Sequence, residues 1–100
     1  MKAQFIAFEG GDASGKTTQA RRVADNLNAV FTREPGGTTM GESLRAILLD
    51  PNEKVALRAE ALLMAASRAQ LVADVISPAL REGRHVVTDR FIASSLTYQG

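Results

Sequence analysis

Residues Gly10 to Thr17 read G-G-D-A-S-G-K-T, a complete G-x-x-x-x-G-K-[ST] pattern, and they follow directly on the apolar run Phe5-Ile6-Ala7-Phe8. A strand that runs into such a loop, with a helix leaving it, makes an anion cradle. Gly10, Gly11 and Gly15 let the backbone curl until successive N–H groups face inward, and the helix beginning near Gly15 adds its positive end. Lys16 can reach the outer phosphates as a point charge. The Thr17 hydroxyl sits where it can join the coordination shell of a magnesium ion. Gly-rich strand-to-helix turns also occur without ligands, but here every required letter stands at the required spacing in the required context. Binding of a nucleoside triphosphate is the expectation.

This opening βα unit is followed by more of the same alternation. Gln4 to Glu9 reads as a buried parallel strand, and Gly15 to about Asn28 carries apolar residues at helical spacing. Ala29 to Thr32 predicts a second short strand, ended by the loop Arg33-Glu34-Pro35-Gly36-Gly37. Thr39 with Glu42 resembles a capping box, so a helix is predicted from about Met40 to Leu49. Asp50-Pro51-Asn52-Glu53 offers an N-cap residue, a first-turn Pro and an acid, and predicts a long Ala- and Leu-rich helix reaching about Glu82. Pro78 is where that helix would kink, and Gly83 is a suitable stop. His85 to Asp89 is a third apolar strand, ending in a carboxylate. Strands alternating with helices imply a parallel sheet covered on both faces, with ligands at the carboxyl ends of the strands.

Composition narrows the partners. A length of 100 residues, 45% hydrophobic and 23% charged, suits one small soluble domain. A formal net charge of +1 leaves no basic stripe for duplex nucleic acid but is compatible with nucleotides. With no cysteine, a disulfide framework and thiolate metal sites are excluded. The N-terminus lacks a signal segment and no apolar stretch is long enough for a bilayer, so a cytoplasmic setting and no membrane partner are expected.

The polar residues that stand out converge at the expected ligand edge. Asp12 and Lys16 follow the first strand, Arg33 and Glu34 the second, and Asp89 with Arg90 ends the third. A strand-end carboxylate is what a magnesium site beside Thr17 needs, because the strand holds the oxygen rigidly. Many such aspartates merely cap the next helix, and the sequence leaves both roles for Asp89 open.

The segments F-E-G-G-D-A-S-G-K-T-T-Q, T-R-E-P-G-G-T and D-R-F-I-A-S-S-L-T-Y-Q-G together resemble the bacterial thymidylate kinases, and the middle one is the most discriminating. The resemblance spans essentially the whole chain. It implies transfer of the γ-phosphoryl group of ATP to thymidine monophosphate (dTMP), giving dTDP and ADP in dTTP synthesis, with Mg²⁺ as the essential ion and a homodimer as the family's assembly. It implies an α/β fold with a P-loop NTPase-type parallel sheet flanked by helices in three layers, residues 1–100 forming the N-terminal part of a single nucleoside monophosphate kinase domain. Family members continue past Gly100 with further strands, an arginine-bearing lid over ATP and an adenine-contacting segment, so the chain is expected to be truncated at its C-terminus. The edge of the first strand is then expected to be association-prone. The link at Asn28-Ala29 is shorter than the family's.

Carried over by position, the resemblance implies donor-phosphate binding by Gly10, Gly11, Asp12, Ala13, Ser14, Gly15, Lys16, Thr17 and Thr18, and metal binding by Thr17 and Asp89. Asp12 would contact the acceptor sugar and organise the metal-linked phosphates; from the residues alone it reads as a solvated loop carboxylate. Arg90 would grip the acceptor phosphate, as a guanidinium can with a bidentate fork. Arg45 and Arg33 are further candidates to neutralise phosphate charge, and either also reads as a surface cation. Glu34 would position a neighbouring arginine or a metal-bound water. Arg68 would hydrogen-bond the thymine carbonyl, with Met64 one helical turn before it on the same face. The family usually has an aromatic residue at the position of Met64, which puts base selectivity in doubt; core packing is the competing reading of this methionine. Ser95 and Gln99 would meet the thymine edge, Tyr98 would wall the sugar, and Ser94 shares a stripe with Tyr98; without the resemblance these four read as a plain amphipathic helix. The resemblance implies Lys16, Asp12, Arg90 and Arg45 as the catalytic set. Two rivals stay open: a phosphate-loop kinase for another small acceptor, and a non-catalytic nucleotide-binding module.

Overall fold

The computed structural model describes residues 2–10 and 16–91, the side chain of Lys16 excepted. They form a three-stranded parallel sheet in the order β1-β3-β2, with β1 Phe5–Gly10, β2 Val30–Glu34 and β3 Val86–Phe91. The central strand is the most apolar: Val86, Val87 and Thr88 are fully buried. Side chains alternate across a strand, and the two halves of the core divide accordingly. Val87 packs with Ile6, Phe8, Phe31 and the small residues Ala20 and Ala24 of helix α1, Lys16–Leu27. Val86 packs on the other face with Leu71, Ile76 and Ala79. Those three come from α3 Leu57–Leu71, a π-helical stretch Val72–Ile76 and α4 Ser77–Arg81. Helices thus cover both faces, as expected for the α/β class.

Helix ends follow local chemistry. Asn28, at φ +52°, closes α1: Ala29 N–H donates to the Ala24 carbonyl and Asn28 N–H to that of Asp25. Gly83, at φ +81°, closes α4 with the same pair of bonds, Arg84 to Ala79 and Gly83 to Leu80. This is the Schellman arrangement, for which Gly and Asn are suited by their tolerance of the left-handed region. It lets α1 turn into β2 through Asn28 and Ala29 alone.

Several predicted boundaries move. Strand β2 runs on through Arg33 and Glu34, so both stand in the sheet and not in the following loop. Strand β3 runs past Asp89 to Phe91. The cap of α2, Thr39–Leu49, is Thr38, whose side chain accepts from Gly41 N–H at 2.9 Å; Glu42 turns away to other partners, so the predicted capping box of Thr39 does not form. Asp50 does not start a helix. Its carboxylate accepts from Asn52 N–H at 2.9 Å and its carbonyl from Glu53 N–H at 3.1 Å, a side-chain-supported turn that competes with helix initiation. Regular helix begins only at Leu57. The long helix is also interrupted before Pro78: Ser77 N–H reaches back to Val72 carbonyl, widening the turn ahead of a residue that has no N–H to give.

Candidate active site

Register explains which polar groups meet. Phe8, Asp89 and Arg33 occupy one row across the sheet, and Glu9, Arg90 and Glu34 the next. Consecutive residues point to opposite faces, so Asp89 turns toward α1 and Arg90 toward α3.

On the α1 face, Thr17 Oγ1 donates to Asp89 Oδ2 at 2.6 Å. The first turn of the helix leaving the phosphate loop and the end of β3 are thereby joined by a short charge-assisted bond. No group of three or more His, Cys, Asp or Glu able to hold a metal is found among the described residues. A hydroxyl and one carboxylate oxygen nonetheless suit Mg²⁺, which keeps most of its shell as water and phosphate oxygens.

The loop after β2 is braced from several sides. The Glu34–Pro35 peptide is cis and Pro35 is fully buried. Arg45 Nη1 donates to the Pro35 carbonyl at 2.9 Å, and Gly36 N–H donates to the buried Ser67 hydroxyl at 3.0 Å. Glu42 accepts from Gly37 N–H at 2.9 Å and from Arg33 through both Nε and Nη2. The Arg33 hydrogen bond first, then that of Gly37, holds the Glu42 carboxyl down to about 2 from an ordinary 4.5. The same bond raises Arg33, while burial and then the nearby Arg33 charge lower Arg45; the Asp89 carboxylate acts on both arginines in the opposite sense to burial.

Two outcomes follow from this brace. Gly37 sits at φ +81°, and a Cβ there would collide with Thr32 Oγ1 and Leu71 Cδ1. Gly37→Ala is expected to destabilise the fold by about 2 kcal/mol in urea unfolding. Because the folded Glu42 carboxyl is depressed, its contribution is complete above about pH 4.5 and fades as the pH falls toward about 2. The pair is largely exposed, its side chains 49% and 44% accessible, so the contribution is about 1 kcal/mol at most. Glu42→Gln should therefore be less stable than the native chain at pH 7, and the gap should close in unfolding titrations carried toward pH 2.

On the α3 face, Glu34 is the hub. Its side chain is 3% exposed; Oε1 accepts from Arg68 Nε at 2.6 Å and Oε2 from Arg90 Nη2 at 3.2 Å. A carboxylate so placed is stable only because two guanidiniums satisfy it. Beside it opens a groove of about 630 Å³, lined by Glu34, Met64, Ala65, Arg68, Ala69 and Val72. Met64 and Arg68 share it, as their spacing predicts, and the methionine borders this space instead of being buried in the core.

A family description, thymidylate kinase, matches residues 8–100. The chain belongs to the thymidylate kinase family. A thymidylate kinase from Pelotomaculum thermopropionicum is 57% identical over 106 residues, covering 100% of this chain and 49% of that protein. One from Neisseria meningitidis is 50% identical over 105 residues, covering 100% and 51%. The chain thus spans about half the length of the curated relatives it matches. The crystal structure of thymidylate kinase from Ehrlichia chaffeensis superposes with a TM-score of 0.83 at 40% identity, covering 100% of this chain and 60% of that one. Thymidylate kinase from Candida albicans gives 0.77 at 30% identity, covering 97% and 44%.

Of the positions that the thymidylate kinase resemblance marks, the fold gathers Thr17 with Asp89, and Glu34 with Arg68, Arg90 and Met64. Arg33 in β2 and Arg45 in α2 flank the adjoining loop, bonded to Glu42 and Pro35. Gly10 ends β1, and Lys16 opens α1 with Thr18 in its first turn. Gly11, Asp12, Ala13, Ser14, Gly15, Ser94, Ser95, Tyr98 and Gln99 lie outside the described residues. Three structural partners escaped the sequence. Ser67 lies one helical turn beyond Met64, at i+3, which is a usable signal. Glu42 carried a cap signal that masked its role as a brace, and Glu9 carried no signal at all.

Proposed function

We propose that the protein transfers the γ-phosphoryl group of ATP to dTMP, yielding dTDP and ADP. What carries the reading, beside family membership, is the divergence of two neighbours: Asp89 meets Thr17 at 2.6 Å, and Arg90 turns to Glu34 beside the groove of Met64 and Arg68. On this reading the donor and acceptor sites would lie one peptide unit apart on the central strand, a placement that the opposite facing of Asp89 and Arg90 supports.

Phosphoryl transfer asks little covalent chemistry of a protein; it asks for an in-line acceptor and for positive charge on the transferring group. Lys16 and the phosphate-loop amides would hold the donor phosphates. Thr17 and Asp89 would hold Mg²⁺, which neutralises phosphate charge when bound. Arg90 would hold the acceptor phosphate, with Arg33 of β2 and Arg45 of α2 adding positive potential nearby. Arg68 would donate to the thymine carbonyl and Met64 would supply an apolar, polarizable contact to the ring. Asp12, Ser94, Ser95, Tyr98 and Gln99 complete the proposed acceptor site. No described helix is long and apolar enough to cross a membrane.

The test is an acceptor panel on the intact protein: MgATP with dTMP, dCMP, dGMP or AMP, and chromatography of the nucleotide products. The reading predicts dTDP as the dominant product at equal acceptor concentration. A larger yield from another monophosphate would reassign the acceptor.

A further inference from the structure

Arg90 is held between two carboxylates of its own row in the sheet. Nη1 donates to Glu9 Oε2 at 2.6 Å, while Nη2 and Nε donate to Glu34 Oε2 at 3.2 and 3.4 Å. The two acceptors differ sharply in surroundings. Glu34 is 3% exposed and also bound by Arg68, whereas Glu9 is 51% exposed. The Arg90 guanidinium carbon lies 6.0 Å from the centroid of the Phe5 ring, at the far end of β1. The side chain is therefore drawn back over the sheet face and does not extend past the strand ends.

We propose that Glu9 is an internal competitor for the acceptor phosphate: its carboxylate holds Arg90 Nη1 until a phosphate monoester displaces it. The inference rests on the assignment of Arg90 to the acceptor phosphate. Among the described residues, Glu9 and Glu34 set two carboxylates against the guanidiniums of Arg90 and Arg68, so an arriving dianion gains little from these two arginines while both carboxylates stay. Glu34 cannot leave, since it is desolvated and doubly held. Glu9 can, because it is half in water already and an ion pair with an exposed partner is weak. A phosphate offers Arg90 a bidentate contact in exchange. The arrangement also filters ligands. A bare anion has only the phosphate contact with which to displace Glu9, whereas a nucleotide adds the contacts of its base in the adjoining groove.

Glu9→Gln keeps the shape of the side chain and removes its charge. Calorimetric titration of the intact protein with inorganic phosphate and with dTMP should show both binding about two- to fivefold tighter in Glu9→Gln than in the native protein. Thymidine, which has no phosphate, should bind both forms equally. In an Arg90→Gln background, the Glu9 substitution should have no further effect on phosphate. Equal or weaker binding of phosphate and dTMP by Glu9→Gln would overturn the proposal. Failure of the thymine reading looks different: phosphate would still bind tighter to Glu9→Gln, while dTMP and dCMP would bind alike.

Discussion

Arg90→Ala is expected to lower kcat/KM for dTMP by about 10²- to 10³-fold, the usual cost of losing one preorganised donor to a charged reacting group. The loss should appear first as a raised KM, because the guanidinium is assigned to the acceptor phosphate, and the KM for ATP should change little. Arg90 is 15% exposed and anchored by the buried Glu34, so its guanidinium is already localised before any ligand arrives, with Nη1 held by Glu9. Arg90→Lys should recover only part of the activity, since an ammonium keeps the charge and loses the planar fork. Steady-state kinetics with each nucleotide varied in turn check this. A native KM for dTMP in Arg90→Ala would remove Arg90 from the acceptor site.

Glu34→Ala should also have a large effect, and by a different route. The carboxylate joins Arg68 and Arg90, and its loss leaves two neighbouring guanidiniums without their shared counter-charge. Arg68 is 47% exposed and can turn to water; Arg90 is less able to. The expected cost is about 2 kcal/mol in stability, below that of breaking a fully buried pair. Misplacement of both arginines should also lower kcat/KM for dTMP about a hundredfold. Urea unfolding reads the first quantity and kinetics the second. Glu34→Gln, which retains an acceptor of the same shape, should recover more stability than activity. Were Glu34→Ala to lose stability while keeping native kinetics, the carboxylate would be a packing element without a positioning role.

Much of this architecture is written locally. The apolar runs of β1 and β3, the helical period of α1 and the punctuation at Pro35-Gly36-Gly37 and Gly83 depend on neighbours in sequence, and each element appears within a few residues of its expected place. The failures have physical causes. Asp50-Pro51-Asn52-Glu53 satisfies the rules for a helix start and also those for a side-chain-supported turn, and the turn wins. The widened stretch Val72–Ile76 accommodates a proline further along, and no periodicity announces it. Glu34 and Arg68, or Glu9 and Arg90, meet only because strand register and helix packing bring distant segments together. The contact of the strand-end Asp89 with Thr17 was more accessible, because Thr17 lies in a segment with its own signature. The bracing by Glu42 was not, because a first-turn glutamate has a commonplace local explanation as part of a helix cap.

The most direct measurement is ADP release from MgATP by the intact protein as dTMP is added, with Lys16→Ala as the blank. The account predicts release that rises to saturation with dTMP and is nearly abolished by the Lys16 substitution. Release that ignores dTMP, or that survives in Lys16→Ala, would contradict it.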